Sequence, residues 1–247
     1  MKFLPVFFAS FIFAATAEAE PTLSPAWKTS ADLKNPESVI YHPGSDALFV
    51  SNVNGSPDAA DGNGFISILS DEGEIQTLHW LDGLNAPKGL AIKDDTLFVA
   101  DLNELLEIDI KQKSIVKRYP ADGAKFLNDV SLDRQGRVYV SDMMTNRIYR
   151  LADGEFKLWM DDPNLEAPNG LLVENEKLIV GSWGNMVDGF ATDVPGHLKV
   201  IDLESRAIES LGDASPVGNL DGVEADGKGN YLVTDWMIDT FTIAGDP

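Results

Sequence analysis

Five segments of the chain share one pattern of apolar and polar positions. They are "NPESVIYHPGSDALFVSN" from Asn35, "APKGLAIKDDTLFVAD" from Ala86, "FLNDVSLDRQGRVYVSD" from Phe126, "APNGLLVENEKLIVGSW" from Ala167 and "NLDGVEADGKGNYLVTDW" from Asn219. Each holds a short β-prone run, a turn containing Gly, Asp or Asn, and a second run that ends in a small residue followed by Asn, Asp or Ser. The equivalent anchor positions are Glu37, Lys88, Asn128, Asn169 and Asp221, spaced 51, 40, 41 and 52 residues apart. The sequence between anchors supplies two further strands per unit. In the third unit "DVSLD" and "RVYVSD" are followed by "NRIYRL", the turn "ADGE" and "FKLWM". Four antiparallel strands recurring at a period in the forties predict an all-β chain of β-propeller blades. No stretch shows the 3.6-residue apolar spacing of a helical repeat.

The two longer spacings place insertions between second and third strands, at "NVNGSPDAADGNG" (52–64) and "WGNMVDGFATDVPG" (183–196). Both overhang the face where the anchors enter, either as tolerated surface loops or as a substrate lid. Four full units and the two or three strands of a fifth make about twenty strands when residues 25–33 are added, a count read from these turn and strand signals. That segment, in "PAWKTSADLKNPES", aligns with "KLWMDDPNLEAPNG" and is expected to lend the last unit a fourth strand from the N-terminus.

The N-terminus departs from this pattern. One lysine, an apolar run from Phe3 to Ala15 and the small-x-small site Ala17-Glu18-Ala19 predict a secretory signal peptide over residues 1–19. The run is too short to span a bilayer, and no later stretch is long enough either. The mature domain is then 20–247, exported to the periplasm or secreted, with no membrane attachment. The full chain's 44% hydrophobic content fits one globular domain. Forty acidic against 19 basic residues give a formal charge of −21, which repels nucleic acid and anionic membranes and favours cations or neutral ligands. The chain has no cysteine, so its fold relies on its core. Oligomeric state is not legible here.

Equivalent anchors in radially arranged blades converge, so Glu37, Asn128, Asn169 and Asp221 are expected to meet at a channel. Two carboxylates and two amide oxygens form a hard, all-oxygen set that suits Ca²⁺, with Mg²⁺ or another divalent cation as the alternative. Asn and Asp before a strand also cap turns, and for each anchor alone that reading stands beside the metal. Lys88 breaks the set. It neutralises an acidic channel, holds a substrate anion or forms a structural ion pair. Trp183 and Trp236 follow equivalent second strands, as packing residues or as the rim of a substrate pocket.

The repeat, with Glu37 in "NPES", Asn128 in "LNDV", Asn169 in "PNGL" and Asp221 in "LDGV", resembles the senescence marker protein, gluconolactonase and luciferin-regenerating enzyme family, whose wider relatives include paraoxonase and diisopropylfluorophosphatase. The likeness covers residues 35 to about 236. It implies a six-bladed propeller template, here covering about five blades, with a calcium ion held by the Glu, Asn, Asn and Asp set. It further implies a hydrolase that opens lactones or related esters, the ion polarising the carbonyl. Asp221 would be base or nucleophile beside the ion, Asp129 a second catalytic carboxylate, and Lys88 and Trp183 substrate-binding residues. The segment "MIDTFTIAGDP" departs from the family pattern after "DW". The alternative is a non-catalytic propeller that binds a small ligand or a protein partner, since one fold hosts both.

No other catalytic constellation appears. His42, His79 and His197 are scattered without zinc spacing, and no G-x-S-x-G elbow, Rossmann fingerprint or P-loop is present.

Overall fold

Runs such as "TLFVAD" carry apolar side chains at consecutive positions because both faces of their strand are buried. In the computed structural model Leu97 and Val99 face one neighbouring sheet while Phe98 and Ala100 face the other. The structure describes residues 24–237 and 240–245. The expected signal peptide and its cleavage site lie outside the described residues.

The first sheet is β1 (Pro36–His42), β2 (Ala47–Asn52), β3 (Gly64–Leu69) and β4 (Ile75–Leu84), and the second is β5 (Pro87–Lys93), β6 (Thr96–Asp101), β7 (Glu104–Asp109) and β8 (Ser114–Pro120). The third holds β9 (Leu127–Leu132), β10 (Val138–Asp142), β11 (Arg147–Ala152) and β12 (Glu155–Asp161). A 3-10 turn, Pro163–Leu165, leads to the fourth sheet: β13 (Pro168–Glu174), β14 (Lys177–Ser182), β17 (Leu198–Asp202) and β18 (Ile208–Ser210). Between β14 and β17 the hairpin β15 (Gly184–Asp188) and β16 (Ala191–Pro195) stands as a sheet of its own. The last sheet is β19 (Leu220–Ala225), β20 (Asn230–Asp235) and β21 (Thr240–Gly245). All pairings are antiparallel, and among the described residues no helix is long and apolar enough to cross a membrane.

Four apolar cores lie between consecutive sheets. Phe49, Ile66, Trp80 and Leu106 join the first to the second, and Leu105, Leu127, Val140 and Tyr149 the second to the third. Tyr139, Trp159, Leu171 and Ile201 join the third to the fourth, and Ile179, Leu198, Val223 and Val233 the fourth to the last. The first strands touch in series, β1 with β5, β5 with β9, β9 with β13 and β13 with β19. Glycine permits this closeness: a Cβ on Gly89 would come within 2.5 Å of Asp129 Cα, and one on Gly170 within 2.1 Å of the Asp221 carbonyl oxygen.

The expected propeller on a six-bladed template is corrected by this topology. Among the described residues the strands form six separate antiparallel sheets, and no strand pairing links one to the next or closes the series. The repeat dictates four-stranded units through local turn and strand chemistry, but strand pairing stops within each unit. The strand expected from residues 25–33 is also corrected. The last sheet has three strands, and Trp27 instead lies over the β3–β4 turn, where a Cβ on Gly73 would come within 2.3 Å of its ring.

Candidate functional site

Each anchor is the second residue of a first strand: Glu37 on β1, Lys88 on β5, Asn128 on β9, Asn169 on β13 and Asp221 on β19. Each sits in a β-bulge where two residues face one. Glu37 and Ser38 face Ser51, Lys88 and Gly89 face Ala100, Asn128 and Asp129 face Ser141, Asn169 and Gly170 face Gly181, and Asp221 and Gly222 face Thr234. Bulges re-aim side chains. The extra residue keeps its N–H satisfied where the facing residue has a hydroxyl: Ser38 donates to Ser51 Oγ, Asp129 to Ser141 Oγ and Gly222 to Thr234 Oγ1. This explains the small residue near the end of each second run.

The polar residue that follows has a second task. Asp101 accepts the N–H groups of Asn85 and Ala86, Asp142 those of Lys125 and Phe126, and Asn52 Oδ1 that of Lys34. Each thereby fixes the loop entering the first strand of its own sheet and sets the height of the anchor. Those carboxylates are loop clamps.

The anchors border two joined cavities. The larger, of about 870 Å³, runs along the first strands and is lined by Glu37, Asn128, Asp129, Asn169, Asp221 and Glu224 among others. The smaller, of about 390 Å³, lies toward the loops and is walled by Lys88, Phe126, Met143, Trp183, Phe190 and Trp236. Glu37, Asn128, Asn169, Asp221 and Trp236 border both.

Burial governs the electrostatics. It pushes the Glu37 carboxyl up to about 8, with the nearby charge of Asp221 adding to the rise. It pushes Asp129 up to about 7 against the pull of the Leu171 and Val130 N–H groups. Asp221 is raised by burial and partly restored by Asn169, whose Nδ2 donates to Asp221 Oδ1 at 2.9 Å. Desolvation lowers the Lys88 ammonium to about 8. Its Nζ donates to the carbonyls of Pro57 at 2.8 Å and Ala86 at 3.0 Å and lies 4.3 Å from the centroid of the Phe126 ring.

These contacts correct the calcium expectation. Among the described residues no group of three or more His, Cys, Asp or Glu side chains is placed to hold a metal ion. Asn169 directs its NH₂ at a carboxylate, and Glu37 Oε2 accepts the Ser38 hydroxyl at 2.8 Å. Asp129 lines the larger cavity, with both oxygens on main-chain N–H groups, Val130 at 2.8 Å and Leu171 at 2.7 Å. Trp183 is buried, and its Nε1 donates to the Phe190 carbonyl at 2.8 Å.

Phe126, Met143 and Phe190 also wall the cavity and escaped sequence reasoning. Phe190 sits in the turn of the β15–β16 hairpin, with its ring centroid 5.9 Å from those of Trp183 and Phe126. The signal was an aromatic in an otherwise polar insertion. The 52–64 insertion reaches the same mouth through Val53, Gly55 and Pro57.

No family model and no curated protein matches the chain. The fold is similar to that of a chain solved as the crystal structure of a nidogen/laminin complex, at a TM-score of 0.67 and 17% identity over 86% of this chain and 76% of that one. At that identity the likeness is in fold alone. With no metal-holding group of His, Cys, Asp or Glu side chains among the described residues, it also corrects the resemblance to the gluconolactonase family, the hydrolase reading and the lactone or ester substrate. The identifiable kinship is one of fold, with a chain from that complex.

Proposed function

We propose that residues 20–247 form an exported, non-catalytic binding domain, periplasmic or secreted, that docks a protein partner over the cavity mouth. The observation that carries this reading is the apolar rim. Of the twelve exposed large apolar side chains among the described residues, seven lie at this end: Met144, Val187, Phe190, Val194, Val217, Trp236 and Met237. Trp236 is 64% exposed, and its ring centroid lies 6.0 Å from that of Trp183. Val217 adjoins the base of the hairpin, its N–H donating to the Gly196 carbonyl. Exposed apolar side chains gathered around a polar recess mark an interaction site.

In this reading Lys88 and Trp183 shape the recess, and Glu37, Asn128, Asn169, Asp129 and Asp221 form its polar floor. The likeness in fold to a chain of a nidogen/laminin complex supports a protein partner. The test is selection from a displayed random-peptide library on immobilised protein. Wild type should enrich binders that lose at least tenfold in affinity toward Trp236→Asp, a variant whose exposed site leaves the fold unchanged by circular dichroism. Failure to enrich, or equal binding to the variant, would refute the docking site.

A further inference from the structure

The polar floor holds acceptors without donors. Among the described residues, Glu37 Oε1, Asp221 Oδ2 and Asn128 Oδ1 accept no hydrogen bond, while their sister atoms are engaged by Ser38, Asn169 and the Met143 sulfur respectively. Asn128 is 6% exposed and borders both cavities. Acceptors open to a cavity are available to a donor that enters it.

Resting on the docking site above, we propose that the cavity receives a lysine side chain from the partner protein, its ammonium donating to Glu37, Asp221 and Asn128 and its methylene stem lying against Trp183 and Trp236. Three acceptors on three strands match the three N–H donors of an ammonium. A guanidinium presents five donors in one rigid plane and fits paired carboxylate oxygens better. The resident Lys88 shows that an alkylammonium suits these walls, since its own charge sits over Phe126 and is turned to the Pro57 and Ala86 carbonyls. Among the described residues, Lys88 is the one lysine or arginine lining the two cavities, against the carboxyls of Glu37, Asp129, Asp221 and Glu224. The formal charge of −21 draws a basic partner toward the protein.

Binding carries a proton signature. Glu37 holds its proton to about pH 8, and a lysine ammonium beside it favours the carboxylate, so complex formation at pH 7 releases protons. Asp129, Asp221 and Glu224, all raised by burial, act in the same direction, as does Lys88, whose own ammonium is disfavoured by a second cation beside it. Affinity should fall at least tenfold between pH 8 and pH 6, following the linkage of one proton held to about pH 8.

The experiment is an NMR titration of the tryptophan indole signals with Nα-acetyl-lysine N-methylamide and with its norleucine counterpart, in wild type, Glu37→Gln and Asp221→Asn. Both substitutions remove an ionisable carboxyl while keeping shape, and their folding is verified by near-ultraviolet circular dichroism. The lysine probe should bind wild type at least tenfold more tightly than the norleucine probe, and both variants should lose that preference. Equal binding of the two probes would overturn the proposal, as would an unchanged preference in the variants. Shifts produced by micromolar calcium chloride but not by the lysine probe would also overturn it. Selected peptides that bind through the rim without lysine would leave the docking site standing and remove the lysine alone.

Discussion

Replacing Asp129 by asparagine sets a hydrogen bond against a buried charge. In the wild type Asp129 Oδ1 accepts from Val130 N and Oδ2 from Leu171 N, which ties β9 to β13. Asparagine keeps one of these and turns an NH₂ toward the other N–H, which costs about 1–3 kcal/mol. The charge works the other way. Burial holds the Asp129 proton to about pH 7 against an ordinary 3.8. At about 1.4 kcal/mol per tenfold change in proton affinity, full ionisation removes about 4 kcal/mol of stability. A carboxyl with a raised folded-state pKa binds more protons folded than unfolded, so its contribution is complete below pH 3.8 and lost as the pH rises through 7. About two thirds of that loss falls above pH 5, and water in the cavity screens part of it, leaving about 2 kcal/mol. Asp129→Asn should therefore be less stable than wild type by about 2 kcal/mol near pH 5 and within about 1 kcal/mol of it near pH 8.5. Urea unfolding followed by fluorescence of the buried Trp80, Trp159 and Trp183 reads both proteins at each pH. A difference that stays constant across this range, or widens toward pH 8.5, would refute the reasoning.

Gly170→Ala would place a Cβ 2.1 Å from the Asp221 carbonyl oxygen, and the forced separation of β13 and β19 should cost more than about 2 kcal/mol in urea unfolding. Lys199, 4% exposed, donates to Glu166 Oε2 at 2.5 Å and to the Asn164 carbonyl. Lys199→Ala should lower stability by about 2–3 kcal/mol, measured the same way, because Glu166 keeps its charge without its partner. Mature protein recovered after export should begin at Glu20 by N-terminal sequencing, and an intact leader on the exported product would contradict the cleavage site.

Much of the unit structure was legible. Turn residues at fixed offsets, such as "HPGSD" before "ALFV" and "DRQG" before "RVYV", determine where β1 and β2 or β9 and β10 meet, since turn chemistry acts over a few residues. The equivalence of the five anchors was also readable, because each occupies the same place in the repeat. Asn169 shows the limit. Its position between Pro168 and Gly170 singled it out, yet its NH₂ serves to brace Asp221 rather than its oxygen to hold an ion. That pairing joins residues 52 apart in sequence, and no local pattern specifies it.

The sequence by itself thus determined the strands, the turns, the acidic surface and which residue of each unit would stand out. Only the tertiary structure decided that the sheets remain separate, that a bulge in every first strand turns the second residue into the cavity, and that Phe190 reaches back to Trp183 and Phe126. The physical reason is range. Propensity and turn geometry act between neighbours along the chain, whereas cavity shape, desolvation and the partner of a buried amide depend on which distant strands pack together.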